Sequence, residues 1–401
     1  MMENYLNILI PLIAFAVTTM VFPKVLRFAK KHQIVDSPNA RKLQRTPTPV
    51  LGGVAVYLGI LMGFLIMGTF HEDTIILWSL VAMTFMQIIG IWDDITDLSI
   101  SFRFLVEISL VGVMIAVSGF FIDDLHGLWG IGQLNTALAV VLSIFTGVGI
   151  INAVNMIDGV DGYASGYCIQ ACLCFAFLFW YVEEPVMACL ATVVAASLLP
   201  FFFHNVFGVK SKMFIGDGGT MMLGVLMAIF VFFTLSSKSL CHNLEANNVG
   251  LLAFALAVTC IPIFDTLRVM TLRLIRGISP FKSDKTHLHH LFIEMGFSHL
   301  GAAMSILLIN LTIILIWLIS WVGGLSIDMQ TYIVIILGLA VTFGFYKLMK
   351  IQQFGGGLDE KGNPHGTTLW YFFCKIGEKS HIEKGGIWRT VRKMVDEVFM
   401  W

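Results

Sequence analysis

Residues 74–97 read TIILWSLVAMTFMQIIGIWDDITD. No charged residue occurs from Thr74 until Asp93. That is close to the length a helix needs to cross a bilayer, about 20 mostly apolar residues. The run stops at two adjacent carboxylates, Asp93 and Asp94. Such neighbours repel one another unless they are solvated or faced by positive charge. The stretch therefore predicts a membrane helix and poses a question of charge at its end.

The rest of the chain extends the first reading. Its 401 residues are 57% hydrophobic and 13% charged, where a soluble domain carries roughly 25% charge. Pro is scarce and Phe abundant, the composition of a polytopic membrane protein. The formal net charge of −1 argues against a nucleic-acid partner. The seven cysteines form no CxxC pair, and Cys168, Cys172, Cys174, Cys189 and Cys260 lie in apolar runs, where a thiol acts as a small hydrophobe. The first run, Tyr5 to Phe22, has no basic residue before it and no small-residue cleavage pattern after it, so it reads as a retained span.

Eleven apolar stretches qualify as spans: 4–22, 50–70, 74–92, 103–121, 135–151, 162–181, 186–203, 218–236, 248–268, 300–321 and 330–348. Threading them alternately puts all 25 Lys and Arg residues except Lys238 on one side. Cytoplasmic loops carry the Lys/Arg excess. The expected fold is thus an all-α polytopic membrane protein of about eleven transmembrane helices, with the N-terminus outside and the C-terminus cytoplasmic. Residues 1–350 form the transmembrane domain and 351–401 a cytoplasmic tail.

Four polar motifs meet on the basic side: WDDITD, NAVNMIDGVDG, FIGDGG and DKTHLHHLF. The outer loops offer HED, IDD and VEE, which read as solvated rim charge. In NAVNMIDGVDG, Asn152, Asn155, Asp158 and Asp161 recur every third residue, near one stripe of a helical turn. A helix cap would need one such residue, and the stretch has four. Asp217 lies between glycines, which permit close approach of backbone to a ligand. Asp93, Asp94, Asn155 and Asp217 make an all-oxygen set suited to Mg²⁺ or Mn²⁺. His287, His289 and His290 lack the cysteines or HExxH pattern of a zinc site, and imidazoles can donate to phosphate oxygens. Most of the neighbouring basic residues read as membrane anchoring. Carboxylates for a cation beside bases for anions suit phosphoryl transfer, where catalysis is mostly positioning and charge neutralisation.

In this order, RTPTPVLGG, GIWDD, NAVNMIDGVDG, FIGDGGTMMLG, PIFDTLRV and HLHH resemble the polyprenyl-phosphate N-acetylhexosamine-1-phosphate transferases, glycosyltransferase family 4, over roughly residues 5–348. The resemblance implies a Mg²⁺ enzyme (with Mn²⁺ as a substitute) in the bacterial inner membrane. Its active site would be cytoplasmic. It would move a sugar-1-phosphate from a UDP-N-acetylhexosamine to undecaprenyl phosphate, initiating a surface polysaccharide and releasing UMP. It implies catalytic roles for Asp93, Asp94, Asp217, His287, His289 and His290. Asp217 and Asn155 would hold the metal, and Asn152, Asn155, Asp158, Arg103, Lys42, Arg45, Asp265 and Arg268 would bind substrate. A homodimer is left open. On this reading Asp93 and Asp94 are tolerated together because they face the cation and its phosphates.

HLHH, where MraY-type relatives tend to carry an uninterrupted triple, and PIFD, ending in Asp265, favour the WecA-type branch and N-acetylglucosamine-1-phosphate. Pro262 is expected to bend its helix and open Asp265 to sugar hydroxyls. The rival reading has Asp265 balance Arg268. The alternatives for the whole chain are a phospho-N-acetylmuramoyl-pentapeptide transferase and, from another class, an ion-coupled transporter. The latter would place ionisable residues near span midpoints. In the tail, Ile387, Val391, Met394, Val395 and Val398 fall at helical spacing, the pattern of an interfacial amphipathic helix or a partner-binding one.

Overall fold

The computed structural model describes residues 2–36, 47–280, 285–355, 366–381 and 386–398. The helices are, in chain order, α1 (Met2–Lys31), α2 (Gly52–Gly68), α3 (Thr74–Thr96), α4 (Ile100–Ser118), α5 (Thr136–Met156), α6 (Tyr163–Tyr181), α7 (Pro185–Phe207) and α8 (Gly216–Thr234). There follow α9 (Leu251–Val258), α10 (Cys260–Ile275), α11 (Leu288–Glu294), α12 (His299–Val322), α13 (Ile327–Leu339), α14 (Tyr346–Phe354), α15 (Thr368–Lys379) and α16 (Gly386–Val398). The only sheet among the described residues is a two-residue antiparallel pair, β1 (Val35–Asp36) with β2 (Thr48–Pro49).

Polar residues at the ends of the apolar runs start the helices. Side chains of Asp73, Ser99, Asn135, Ser298 and Ser326 accept hydrogen bonds from the first turns of α3, α4, α5, α12 and α13. Each satisfies a backbone donor that the helix itself leaves unpaired. Asp97 and Gly119 end α3 and α4 in the left-handed conformation.

Among the described residues, nine helices are long and apolar enough to cross a membrane, or ten if the bent pair α9 and α10 is counted as one. Each of the eleven expected stretches contains helix, but not eleven straight spans. α2 has only 17 residues. α9 and α10 meet at 72°. The break falls at Thr259, and Pro262 lies in the first turn of α10, where its missing N–H costs little. α1 also runs past residue 22 to Lys31, carrying its basic end beyond the apolar run. α13 continues into α14 through a π-helical stretch, Ala340–Phe345.

α8 lies at the centre, packed against α3, α5 and α2. Every one of its residues except Asp217 is buried. Glycine pairs let it in. A Cβ at Gly90 would sit 2.4 Å from the Gly218 Cα, and one at Gly53 2.4 Å from the Gly219 Cα. Small residues give such close backbone approach between membrane helices. Around this core, Leu12, Leu77, Phe85, Phe145, Phe177 and Ile319 face outward, the side a bilayer would cover.

Candidate active site

The C-terminal ends of α3 and α5 and the N-terminal ends of α4 and α8 lie together. Gly216, with φ +74°, opens α8; a Cβ there would lie 2.3 Å from the Val50 carbonyl oxygen and 2.6 Å from Asp94 Oδ2. The turn into the helix therefore admits only glycine without displacement. Asp94 accepts hydrogen bonds from the backbone N–H of Asp217 (3.0 Å) and of Gly218 (3.3 Å). A carboxylate receiving two amides at a helix N-terminus is favoured by both the bonds and the helix dipole.

Asp93 has different partners. Its Oδ1 accepts from Leu98 N–H at 2.7 Å and its Oδ2 from Arg103 at 2.7 Å. Each of the two adjacent acids thus has hydrogen-bond donors of its own. Arg103 also approaches Asp217 Oδ2, at 3.9 Å, and so links the two acids.

Asp217 is 39% exposed at the side chain, the open carboxylate of the group. Its Oδ1 accepts from the Asn155 amide at 2.9 Å, and the same amide donates to Thr220 Oγ1 at 2.9 Å. Asn155 thus presents nitrogen to Asp217, so ligation by Asn155 would use its other amide atom. Asp158, in the loop between α5 and α6, reaches solvent. Desolvation and the carboxylates of Asp217, Asp161 and Asp94 raise its pKa. Solvent contact weakens the first cause and leaves the crowding of like charge. A cation would relieve that crowding, and the donors are hard oxygens. The residues therefore fit a divalent ion such as Mg²⁺, which typically takes one or two carboxylates and completes its shell with water and phosphate. Asp217 and Asp158 are the acids free to supply them.

The histidine motif joins from a neighbouring segment. His289 is 1% exposed. A Cβ on Gly159 would lie 2.3 Å from His289 Nε2, so glycine at 159 lets α11 pack against the loop that carries Asp158. Burial, then His290 and His287, holds the His289 pKa well below 6.5; this imidazole is neutral. His290 is half-buried, with its ring 4.3 Å from that of His289.

Asp265 forms a separate buried cluster. It accepts from Arg268 at 2.6 Å, from His287 Nδ1 at 2.9 Å and from Leu288 N–H. It is 2% exposed. The expectation that a bend opens Asp265 to sugar hydroxyls is not met. The rival pairing with Arg268 is what is present, and the bend lies six residues earlier in the chain, at Thr259. Arg268 also stacks on Tyr346, 3.7 Å from the ring centroid. Asn152 is turned toward Glu107 and the Val148 carbonyl, away from Asp217's hydrogen-bonding group. Lys42 and Arg45 lie outside the described residues.

The motif reading contains neither the partners of Asp161 nor Glu107. Asp161 binds Lys212 (2.6 Å) and His299 (2.9 Å). Burial alone would raise its pKa, but these partners outweigh burial and hold it below the usual range. Glu107 is fully buried on α4. As the only acid between Arg103 and Asp123 in an apolar run, it carried the signal of a paired intramembrane carboxylate.

Residues 76–235 match the family model of glycosyl transferase family 4. The undecaprenyl-phosphate alpha-N-acetylglucosaminyl 1-phosphate transferase of Escherichia coli K12 is 27% identical over 344 residues, 85% of this chain and 90% of that protein. The probable undecaprenyl-phosphate N-acetylglucosaminyl 1-phosphate transferase of Bacillus subtilis 168 is 27% identical over 365 residues, 90% of this chain and 96% of that one. A Yersinia pestis protein of the same name as the Escherichia coli one is 29% identical over 325 residues, 80% and 85% of the two chains.

Proposed function

We propose that this chain, which belongs to glycosyl transferase family 4 through residues 76–235, transfers N-acetylglucosamine-1-phosphate, or a closely related N-acetylhexosamine-1-phosphate, from a UDP-sugar to undecaprenyl phosphate. The observation that carries the reading is the group Asp94–Asp217–Arg103–Asp93 with Asn155 at one end of an apolar helix bundle. There a lipid phosphate and a soluble nucleotide can meet. The names of the relatives support the acceptor and the N-acetylglucosaminyl group.

In the reaction, an oxygen of the lipid phosphate attacks the sugar-bearing phosphorus of the UDP-sugar. The P–O bond to the uridine-bearing phosphate breaks and UMP leaves. A phosphate monoester has its second pKa near 6, so the attacking group is largely dianionic at neutral pH and needs no strong base. Asp217 and Asp158 would hold Mg²⁺ (or Mn²⁺), which supplies charge neutralisation to the phosphates. Arg103 presents the nearest fixed cation, oriented by Asp93. Asp94 holds the first turn of α8, and hence Asp217, in place. His290 is the histidine of the motif with an accessible ring and is assigned to phosphate oxygens. His289 and His287 brace α11 from within.

The bundle has eleven spans on this reading, with α2 and the bent α9–α10 pair included. The N-terminus is outside, and the active end faces the cytoplasm of a bacterial inner membrane. The support is the basic side of the chain, from which only Lys238 is missing. Residues 1–350 form the transferase domain and 351–401 a tail.

The test is product formation from radiolabelled UDP-N-acetylglucosamine and undecaprenyl phosphate with millimolar Mg²⁺. A labelled lipid diphosphate is expected, and none from UDP-muramoyl-pentapeptide. The reverse pattern would overturn the sugar, and no lipid product from any UDP-sugar would overturn the transferase reading.

A further inference from the structure

α4, which carries Arg103, and α8, which carries Asp217, end at the far side of the bundle in two loops. The first, 119–135, is a tight hairpin. Asp124 bridges Gln133, Leu125 N–H donates to the Gly132 carbonyl, and Gly127 N–H donates to the Ile131 carbonyl. At its tip His126 is left-handed, φ 54°, and its N–H donates to Asp124 Oδ1 at 2.6 Å. A non-glycine residue in that region is uncommon and is held by its surroundings. The second loop contains a 3₁₀ helix, Leu240–Asn247. With three residues per turn, positions i and i+3 eclipse, which puts His242 directly in line with Glu245.

The two loops meet at these side chains. Ligand atoms of His126, His242 and Glu245 all lie within 4.8 Å of one another. His126 is fully buried; its Nδ1 bonds Glu245 Oε1, and its Nε2 has no hydrogen-bond partner. His242 Nδ1 lies 2.8 Å from the same oxygen, yet it makes no hydrogen bond. A ring nitrogen at that distance but out of line is not explained by hydrogen bonding. Two imidazole nitrogens converging with one carboxylate oxygen are instead the donor set of a borderline transition metal. Asp123, Asp124 and Glu184 at the same end, against Lys238 alone, also favour a cation.

The geometry points to a zinc site formed by His126, His242 and Glu245, with water completing the shell. It clips together two loops whose ligands are 119 residues apart, on the face opposite the transferase site. Closing a loop that long across a fixed ion would restrict the unfolded chain and hold the hairpin against the 3₁₀ helix.

The test uses the full chain in detergent, stripped with a chelator and titrated with Zn²⁺ against a competing indicator, with bound zinc counted by mass spectrometry. His242→Ala and Glu245→Gln are the variants, since both side chains are partly exposed and stand apart from the transferase residues. The wild type should bind one more equivalent of zinc than His242→Ala. Glu245→Gln should weaken that equivalent by more than about 10-fold. His242→Cys should restore it, because a thiolate also binds zinc. Equal stoichiometry and affinity in wild type and both variants would overturn the site, as would an unrestored His242→Cys. If a variant fails to fold, zinc-edge absorption of the one-equivalent wild type decides. A shell with two imidazoles and oxygen supports the site, and any shell with fewer imidazoles overturns it.

Discussion

At the scale of single residues, Asp93, Asp94 and Asp217 have three different sets of partners, and substitutions should separate the roles proposed for them. Asp217→Asn keeps an acceptor for the Asn155 amide but loses the charge. Transfer should fall at least about 100-fold, the order seen when one charge-stabilising group is removed. The melting temperature in detergent should stay near that of the wild type, and higher Mg²⁺ should recover part of the rate. Near-normal turnover at saturating UDP-sugar and millimolar Mg²⁺ would remove Asp217 from the metal. Asp94→Asn should instead lower stability, because an amide cannot accept from Asp217 N–H and Gly218 N–H through both atoms; about 1 kcal/mol is expected for a lost cap. An unchanged melting temperature for Asp94→Asn would count against that role. The motifs made these acids legible, since glycine and aspartate in apolar surroundings have few structural uses. Their partners were not legible. Nothing near position 93 says that Arg103 takes Oδ2, and nothing near 265 says that His287, 22 residues away, turns Asp265 inward. Long-range pairing is settled by packing, and one sequence carries no local trace of it.

At the scale of elements, the site depends on how closely α8 approaches its neighbours. Gly216→Ala would force a side chain into a left-handed backbone, costing about 1–2 kcal/mol, and into the Val50 carbonyl and Asp94. Both the melting temperature and transfer should drop, and a variant matching the wild type in both would refute the close-approach argument. The Asp161–Lys212–His299 group joins the loop after α5 to the loop before α8 and to the start of α12. Asp161 has a depressed pKa. Its contribution to stability is therefore present above the ordinary carboxylate pKa and is lost as pH falls through the lower folded value. In Lys212→Met that pKa rises toward the ordinary value, so the melting temperature above the ordinary carboxylate pKa should be lower than the wild type's and its decline with acid shallower, the two profiles converging at low pH. Coincident profiles would mean the pair contributes nothing. Helix positions were readable from apolar runs and their caps. The break at Thr259 and the short α2 were not, because a hydropathy window registers composition and is blind to a bend inside an apolar stretch.

At the scale of the whole molecule, everything proposed for the site depends on which end of the bundle meets the cytoplasm. Nucleotide sugars are soluble and cannot reach a face turned outward, so sidedness and function stand or fall together. The basic residues argue for one orientation, since a cytoplasmic excess of Lys and Arg sets how short loops insert. The tail belongs to that same end. α16 docks beside α7 through Asp396, which accepts from the backbone of Val209, Lys210 and Ser211, and through Trp388 stacked on Phe207 at 5.0 Å. Charge alone predicts a sidedness, whereas it predicts nothing of this docking, because an amphipathic pattern fits a lipid surface, a partner or the chain's own loops equally well. Single cysteines placed in a background without the seven native ones give the check. Glu72 precedes α3 and is exposed, and Lys379 ends α15 and is exposed. An impermeant thiol reagent added to intact cells should label Glu72→Cys and spare Lys379→Cys until the membrane is opened. Because Thr74 and Asp93 lie at opposite ends of α3, labelling at 72 from outside places the carboxylates at the inner face. Labelling at 379 in intact cells would invert the bundle, put Asp217 where no UDP-sugar is available, and take the proposed transfer with it.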